Sequence, residues 1–154
     1  MTPGSFDTDT AGANTADPDL RGLLYRSSAT ISRREFEASD AVEAFAARNE
    51  SLGLGGYLHM EDGFFYQFLE GRSEALEGVW QSIQRDPRHT AVSLLFDAAV
   101  PARRFACWAM GYNSDEEQSL FAWTARSGLS LKSRNSAKVI IAFLEYTSKA
   151  AQAA

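Results

Sequence analysis

The sequence predicts an α+β fold: a ferredoxin-like β-α-β-β-α-β-β sheet with two helices on one face, plus helices at the C-terminus. Three observations predict it. Short apolar and aromatic runs alternate with two segments of helical periodicity. An Asp-Gly turn joins two of the runs as a hairpin. The segments after residue 113 are helical in pattern and separated by polar residues, so they read as an appendix.

Taken in order, Met1 to Asp19 is rich in Thr, Ala, Gly and Asp and holds little to bury, so it reads as a flexible leader over 1–19. A single domain occupies 20–113. Its first strand is Gly22 to Thr30, turning polar toward its end. A helix follows over Ser39 to Asn49, with Ser39 or Asp40 as cap, Val42, Phe45, Ala46 and Asn49 at helical spacing, and Gly53 at the stop. Leu54 to Met60 and Phe64 to Glu70 form the hairpin around Glu61-Asp62-Gly63. The second helix, Ser73 to Arg85, carries Leu76, Val79, Trp80 and Ile83 on one stripe and ends before Pro87. Two more strands are predicted at Ala91 to Phe96 and Arg104 to Met110. Over 114–154, Glu116 to Ala125 and Ser136 to Ala150 read as amphipathic helices that must cover the bare face of the sheet or meet a partner.

Bulk properties exclude several functions. The 154 residues are 45% hydrophobic and 12% aromatic, enough for a core, and the formal net charge is −5 with no basic run. A nucleic-acid groove therefore lacks electrostatic support. Cys107 is the only cysteine, which rules out an intramolecular disulfide, and His59 and His89 lack the close spacing of a helical zinc pair, so no metal site is expected. No apolar stretch approaches a membrane span, and the N-terminus has no signal-peptide pattern. These features point to a soluble cytoplasmic protein.

Strand parity groups the polar candidates. Tyr25 and Ser27 share a face of the first strand; Phe65, Gln67 and Leu69 share one in the third, and Phe64, Tyr66 and Phe68 the other. Gln67 is an amide among aromatics and needs hydrogen-bond partners. On the last strand Trp108 and Met110 are expected to share a face, so all four could line one pocket. Singly, each has an ordinary alternative: an amphipathic core tyrosine, a glutamine satisfied by backbone, a core Trp and Met, a helix-end Asn49, a solvated Arg48. Periodicity and composition alone stop at a ferredoxin-like domain of unassigned function.

Tyr25-Arg-Ser27, Ala46-Ala-Arg-Asn49, Gly63-Phe-Phe-Tyr-Gln-Phe-Leu-Glu-Gly71, Ile83-Gln-Arg-Asp-Pro-Arg-His89 and Arg103-Arg-Phe-Ala-Cys-Trp-Ala-Met-Gly111 follow one another as in BLUF domains, the bacterial sensors of blue light using FAD. The likeness covers about Gly22 to Tyr112. It implies a flavin between the two sheet-packed helices, with FAD the expected form and FMN or riboflavin as substitutes. It also implies that Tyr25 and Gln67 are the photoactive pair and that Asn49 holds the pyrimidine edge of the ring. Arg48, Arg88, His89 and Ser27 would lie near the flavin, and Trp108 and Met110 would relay the signal. Tyr25 would give the excited flavin an electron and then a proton, and Gln67 would rearrange and bond flavin C4=O more strongly, shifting absorption to the red. The sequence departs from the common pattern at Leu54-Gly-Gly56, where many relatives carry a hydrophobic-Thr-Gly run, at Ala109, where serine is frequent, and at Arg48.

The chain is thus expected to be a photoreceptor and not an enzyme, with no catalytic residues, forming homo-oligomers and signalling through the last strand and C-terminal helices to a downstream regulatory protein. The rivals are a flavin-dependent oxidoreductase, for which no acid, base or nucleophile set is visible, and a light-insensitive interaction domain. Acylphosphatase shares the layout but needs a glycine-rich anion loop that is missing here.

Overall fold

A computed structural model describes residues 18–132 and 134–153. Except for residues 18 and 19, the leader expected over 1–19 lies outside them. Five strands form one sheet: β1 (Leu20–Ala29), β2 (Gly55–Glu61), β3 (Phe64–Arg72), β4 (His89–Ala99) and β5 (Gly111–Ser114), in the order β4-β1-β3-β2-β5. The first four pair antiparallel, and β5 joins the outer edge of β2 in parallel. The helices are α1 (Arg33–Ala38), α2 (Ala41–Leu52), α3 (Ser73–Arg85), α4 (Leu120–Ser127) and α5 (Ser136–Ala153). This is the predicted α+β layout.

The hairpin turn between β2 and β3 places Asp62 at φ 54° and Gly63 at φ 80°, the left-handed pair that a tight two-residue hairpin needs. β3 is central and buried on both faces, which explains its unbroken aromatic run. On one face Leu23, Leu58, Phe65 and Leu69 pack beneath Phe36 of α1, Ala41 of α2 and Leu76, Val79, Trp80 and Ile83 of α3. On the other, Leu24, Tyr57, Tyr66 and Phe68 pack beneath Leu120 of α4 and Ile140, Phe143 and Leu144 of α5. The C-terminal helices therefore cover the sheet face that the sequence left bare. Among the described residues no helix is long and apolar enough to cross a membrane.

Two expectations are corrected. The segment from Thr30 to Ala38 holds α1, whose Ser32 hydroxyl accepts the Glu35 N–H while the Glu35 carboxylate accepts the Ser32 N–H. α2 begins at Ala41 with Asp40 at the cap position, and the Ser39 hydroxyl takes the Ala41 N–H.

The second correction concerns the last strand, which is Gly111–Ser114 and not Arg104 to Met110. The buried Glu70 carboxylate on β3 accepts the N–H groups of Arg104 (2.9 Å) and Phe105 (2.6 Å). The Trp108 carbonyl accepts from Gly56 N–H at 3.0 Å. A side chain at Gly55 would stand 3.0 Å from the carbonyl oxygens of Phe105 and Trp108, so the Gly55-Gly56 pair lets this irregular segment lie against the start of β2. Its backbone groups are thereby bonded outside any ladder. Consequently Trp108 and Met110 do not share a face. Trp108 packs with Tyr57 among the residues under α4 and α5, and Met110 belongs to the cluster under α1–α3.

Candidate functional site

The face under α1–α3 encloses a cavity of about 220 Å³. β1 and β3 place Tyr25 directly opposite Gln67 in the ladder, both side chains pointing toward α2 and α3. The Tyr25 hydroxyl donates to Gln67 Oε1 at 2.5 Å. The Gln67 amide nitrogen points at Met110 Sδ, 3.4 Å away. Tyr25 is 4% exposed and Gln67 3%, so neither competes with water for these bonds. Burial pushes the Tyr25 phenol well above its ordinary range; nearby Asp86 adds to this, and Arg48 and Arg88 oppose it. The phenol is thus a held proton donor at neutral pH. Its ring touches Trp80 at 5.7 Å and meets the His89 ring edge-on at 5.8 Å.

His89, at the start of β4, has both ring nitrogens engaged. Nε2 lies 2.6 Å from the Ile83 carbonyl, which only accepts, so Nε2 carries a hydrogen. Nδ1 lies 2.7 Å from the Ser27 hydroxyl. Ser27 and His89 thus fix the ring that forms one wall. At the mouth, Asp86 and Arg88 form a two-pronged ion pair, Nε to Oδ1 at 2.9 Å and Nη2 to Oδ2 at 2.7 Å. Burial pushes the Asp86 carboxyl up, but the Arg88 bonds outweigh it and hold it below its ordinary value, while Asp86 raises Arg88 in turn.

α2 supplies Arg48 and Asn49. Asn49 is wholly buried; its amide nitrogen donates to the Ala109 carbonyl at 2.9 Å, and its oxygen accepts from Arg48 Nε (3.2 Å) and Nη2 (3.1 Å). Burial lowers the Arg48 pKa from its ordinary value, with Tyr25 and Asp86 opposing. The guanidinium groups of Arg48 and Arg88 lie over the Phe45 ring at 5.3 and 5.1 Å.

Tyr25, Arg48, Gln67, Arg88 and His89 therefore line one cavity, and Ser27, Asn49 and Met110 buttress it. Trp108 does not join them; its buried indole N–H has no partner among the described residues. Sequence reasoning missed Phe36, Phe45 and Asp86 as lining residues. Phe45 could have been found one helical turn before Arg48 and Asn49, and Asp86 in the Asp-Pro-Arg-His run. Phe36 lies on the overlooked α1. Among the described residues no group of three or more His, Cys, Asp or Glu is placed to hold a metal ion.

The cavity is walled by aromatic rings, floored by an amide and a phenol, and bordered by two guanidinium groups. Such a lining suits a flat heteroaromatic group with a polar edge and an anionic tail. Fold and site together define an α+β small-molecule-binding domain with a buried tyrosine–glutamine pair. The profile of the BLUF family, sensors of blue-light using FAD, matches residues 20–111. The chain belongs to the BLUF family of blue-light flavin sensors. It is 31% identical over 106 residues to the photoactivated adenylate cyclase subunit alpha of Euglena gracilis, covering 67% of this chain and 10% of that protein. It is 32% identical over 108 residues to the subunit beta of Euglena longa, covering 70% and 13%. The chain thus spans about a tenth of the length of these relatives. Among solved structures, the dark state of BlrB, a BLUF protein, superposes with a TM-score of 0.72 at 25% identity, covering 84% of this chain and 98% of that one. BlrP1 of Klebsiella pneumoniae, solved with FMN and cyclic diGMP, gives 0.60 at 31% identity, covering 70% and 30%.

Proposed function

We propose that the chain is a blue-light photoreceptor in which Tyr25 and Gln67 convert absorption by a bound FAD into a hydrogen-bond change read by the C-terminal helices. The observation that carries this is the buried 2.5 Å bond from the Tyr25 hydroxyl to Gln67 Oε1 on the wall of the cavity. A bound flavin supplies visible absorption and, once excited, a strong electron acceptor.

The protein's part follows from the donors and acceptors at hand. Tyr25 is the buried phenol placed to give an electron and then its hydroxyl proton to a bound, excited flavin, and both would return to Tyr25 before the cycle closes. Having lost that proton, its oxygen only accepts, and Gln67 Oε1 no longer has a donor to face. Turning or tautomerising the Gln67 amide restores the match, because one rotor carries both a donor and an acceptor. A turn would take the amide nitrogen away from Met110 Sδ, and a tautomer would remove one of its hydrogens, so Met110 faces the changed group either way. Met110 directly precedes β5, which makes that strand the first element biased.

Asn49 and Gln67 would present amides to the ring edge, while Ser27 and His89 form the wall beside Tyr25. Arg48 and Arg88 place two cations at the mouth, which favours a phosphorylated tail and so FAD or FMN over riboflavin. The output would pass from the C-terminal helices to a regulatory protein partner, with self-association of the chain part of the same response.

The test is visible absorption of the protein reconstituted with FAD. Blue light should produce a reversible red shift. Tyr25→Phe should bind flavin yet lose the shift, and a normal photocycle in that variant would overturn the mechanism. Colourless protein after reconstitution would favour a light-insensitive interaction domain. Turnover of a nicotinamide cofactor in the dark would favour an oxidoreductase.

A further inference from the structure

We propose that Asn113 and Thr147 form the joint by which β5 passes a change at Gln67 to the C-terminal helices, with His59 and Glu61 holding that joint in register. The inference rests on the photosensor reading above and names the residues of its output.

β5 is only four residues long, yet it touches both sides of the sheet. Tyr112 packs with the cluster under α1–α3, as does Met110 just before the strand. Asn113 points the other way. Its amide nitrogen donates to the Thr147 hydroxyl on α5, and its oxygen lies 2.7 Å from His59 Nδ1. With the amide hydrogens turned to Thr147, the oxygen faces the imidazole, so Nδ1 carries a hydrogen. His59 Nε2 then lies 2.8 Å from Glu61 Oε1, with one proton between them.

Glu61 in turn caps α4. Its carboxylate accepts from the Leu120 N–H at 2.6 Å, the Ser119 hydroxyl at 2.9 Å and the Phe121 N–H at 3.3 Å. One hydrogen-bonded chain therefore runs from β5 to both C-terminal helices. His59 is fully buried, and Glu61, Asn113 and Thr147 are at most 6% exposed.

The character of these contacts decides what they can do. Ile140, Phe143 and Leu144 share the buried face of α5 with Thr147, and apolar packing of this kind tolerates small slips. Buried hydrogen bonds do not: a shift of about 1 Å breaks the bond and strands both groups away from water. The polar chain thus gives α5 discrete seats on the sheet, where packing alone would give a continuum. β5 is tied along its whole length to β2, with Gly111 opposite Tyr57 and Asn113 opposite His59, so a shift of its start is carried to Asn113. Displacement of Met110 is therefore passed along β5 to the Asn113–Thr147 bond.

The experiment is hydrogen exchange read by mass spectrometry on the FAD-loaded full chain, in darkness and under blue light, with the red shift recorded on the same samples. In the wild type, α5 amides should exchange at least severalfold faster in light. Thr147→Val and Asn113→Leu should keep the red shift, raise α5 exchange in the dark, and lose the light-minus-dark difference. Thr147→Ser, which retains the hydroxyl, should restore it. A full light-minus-dark difference in Thr147→Val would overturn the proposal, as would a wild type that shifts to the red without any change at α5. A wild type with no red shift would overturn the photosensor reading itself. Thr147→Val nearly preserves side-chain shape, so it carries the test should Asn113→Leu fail to fold.

Discussion

Trp108 and Met110, two residues apart in the chain, lie on opposite faces of the sheet: Trp108 against Tyr57 beneath the C-terminal helices, Met110 with its sulfur 3.4 Å from the Gln67 amide nitrogen. They therefore cannot act as a pair on one wall. Met110 is the one in contact with Gln67, and Trp108 carries a buried N–H without a partner among the described residues.

This arrangement makes Met110 a support of the dark state. Met110→Leu keeps the volume and removes the sulfur that the Gln67 amide faces. Leaving that donor unmet costs the dark state about 1 kcal/mol, at the low end because sulfur accepts weakly. If the amide turns under light, as proposed, the lit state loses nothing. Dark recovery should slow by up to roughly fivefold, with flavin binding unchanged. The decay of the red shift after a blue flash measures it.

The seat of α4 should be acid-sensitive. Burial pushes the Glu61 carboxyl up, but bonds from His59, Leu120, Ser119 and Phe121 outweigh it, so Glu61 titrates below its ordinary value. A carboxylate lowered by folding stabilises the fold fully above its unfolded value, and that contribution is lost as pH falls through its folded value. Stability to urea should therefore hold from neutral pH to about 5 and decline below about 4. Glu61→Gln should flatten part of this decline while lowering stability at pH 7.

Two glycines should differ sharply when given a methyl group. A Cβ at Gly56 would stand 2.2 Å from the Phe68 carbonyl oxygen, inside the β2–β3 ladder where neither backbone can retreat. Gly53 caps α2 at φ 69° with nothing within 4 Å, so alanine there meets only backbone strain. Gly53→Ala should cost about 1 kcal/mol by urea unfolding. Gly56→Ala should cost more than about 3 kcal/mol or prevent folding.

Why some of this was legible in the sequence and some was not follows from the range of the interactions. α3 declared itself through Leu76, Val79, Trp80 and Ile83, because one stripe meets one sheet face. The hairpin declared itself through Asp62-Gly63. Parity allowed Tyr25 and Gln67 a shared pocket without fixing it, and alone they were ordinary strand residues until the family motifs supplied a flavin. α1 was overlooked although Ser32 and Glu35 spell a capping box, since a six-residue helix has too little periodicity to stand out. β5 was misplaced because residues 104–110 alternate like a strand, while their backbone is bonded to Glu70 and Gly56, both far away in the chain. The His59–Asn113–Thr147 network was invisible for the same reason.

Asn49 offers the sharpest separation of scaffold from ligand contact. Its amide ties α2 to the Ala109 carbonyl, one residue before Met110, and accepts both Arg48 nitrogens. Replacing it with leucine leaves the half-buried Ala109 carbonyl without its amide donor and frees Arg48. The lost bond should cost about 1 kcal/mol of stability. Asn49→Asp holds Arg48 more tightly by its charge and sets an oxygen against the Ala109 carbonyl, so it breaks the tether while keeping Arg48 in place. If the amide also holds the ring, both variants should weaken flavin binding by about tenfold, equivalent to one good hydrogen bond of about 1.4 kcal/mol. Thermal unfolding of the flavin-free protein reports the tether, and fluorescence titration with FAD reports the ring contact. Lowered stability with unchanged FAD affinity would restrict Asn49 to positioning the approach to Met110.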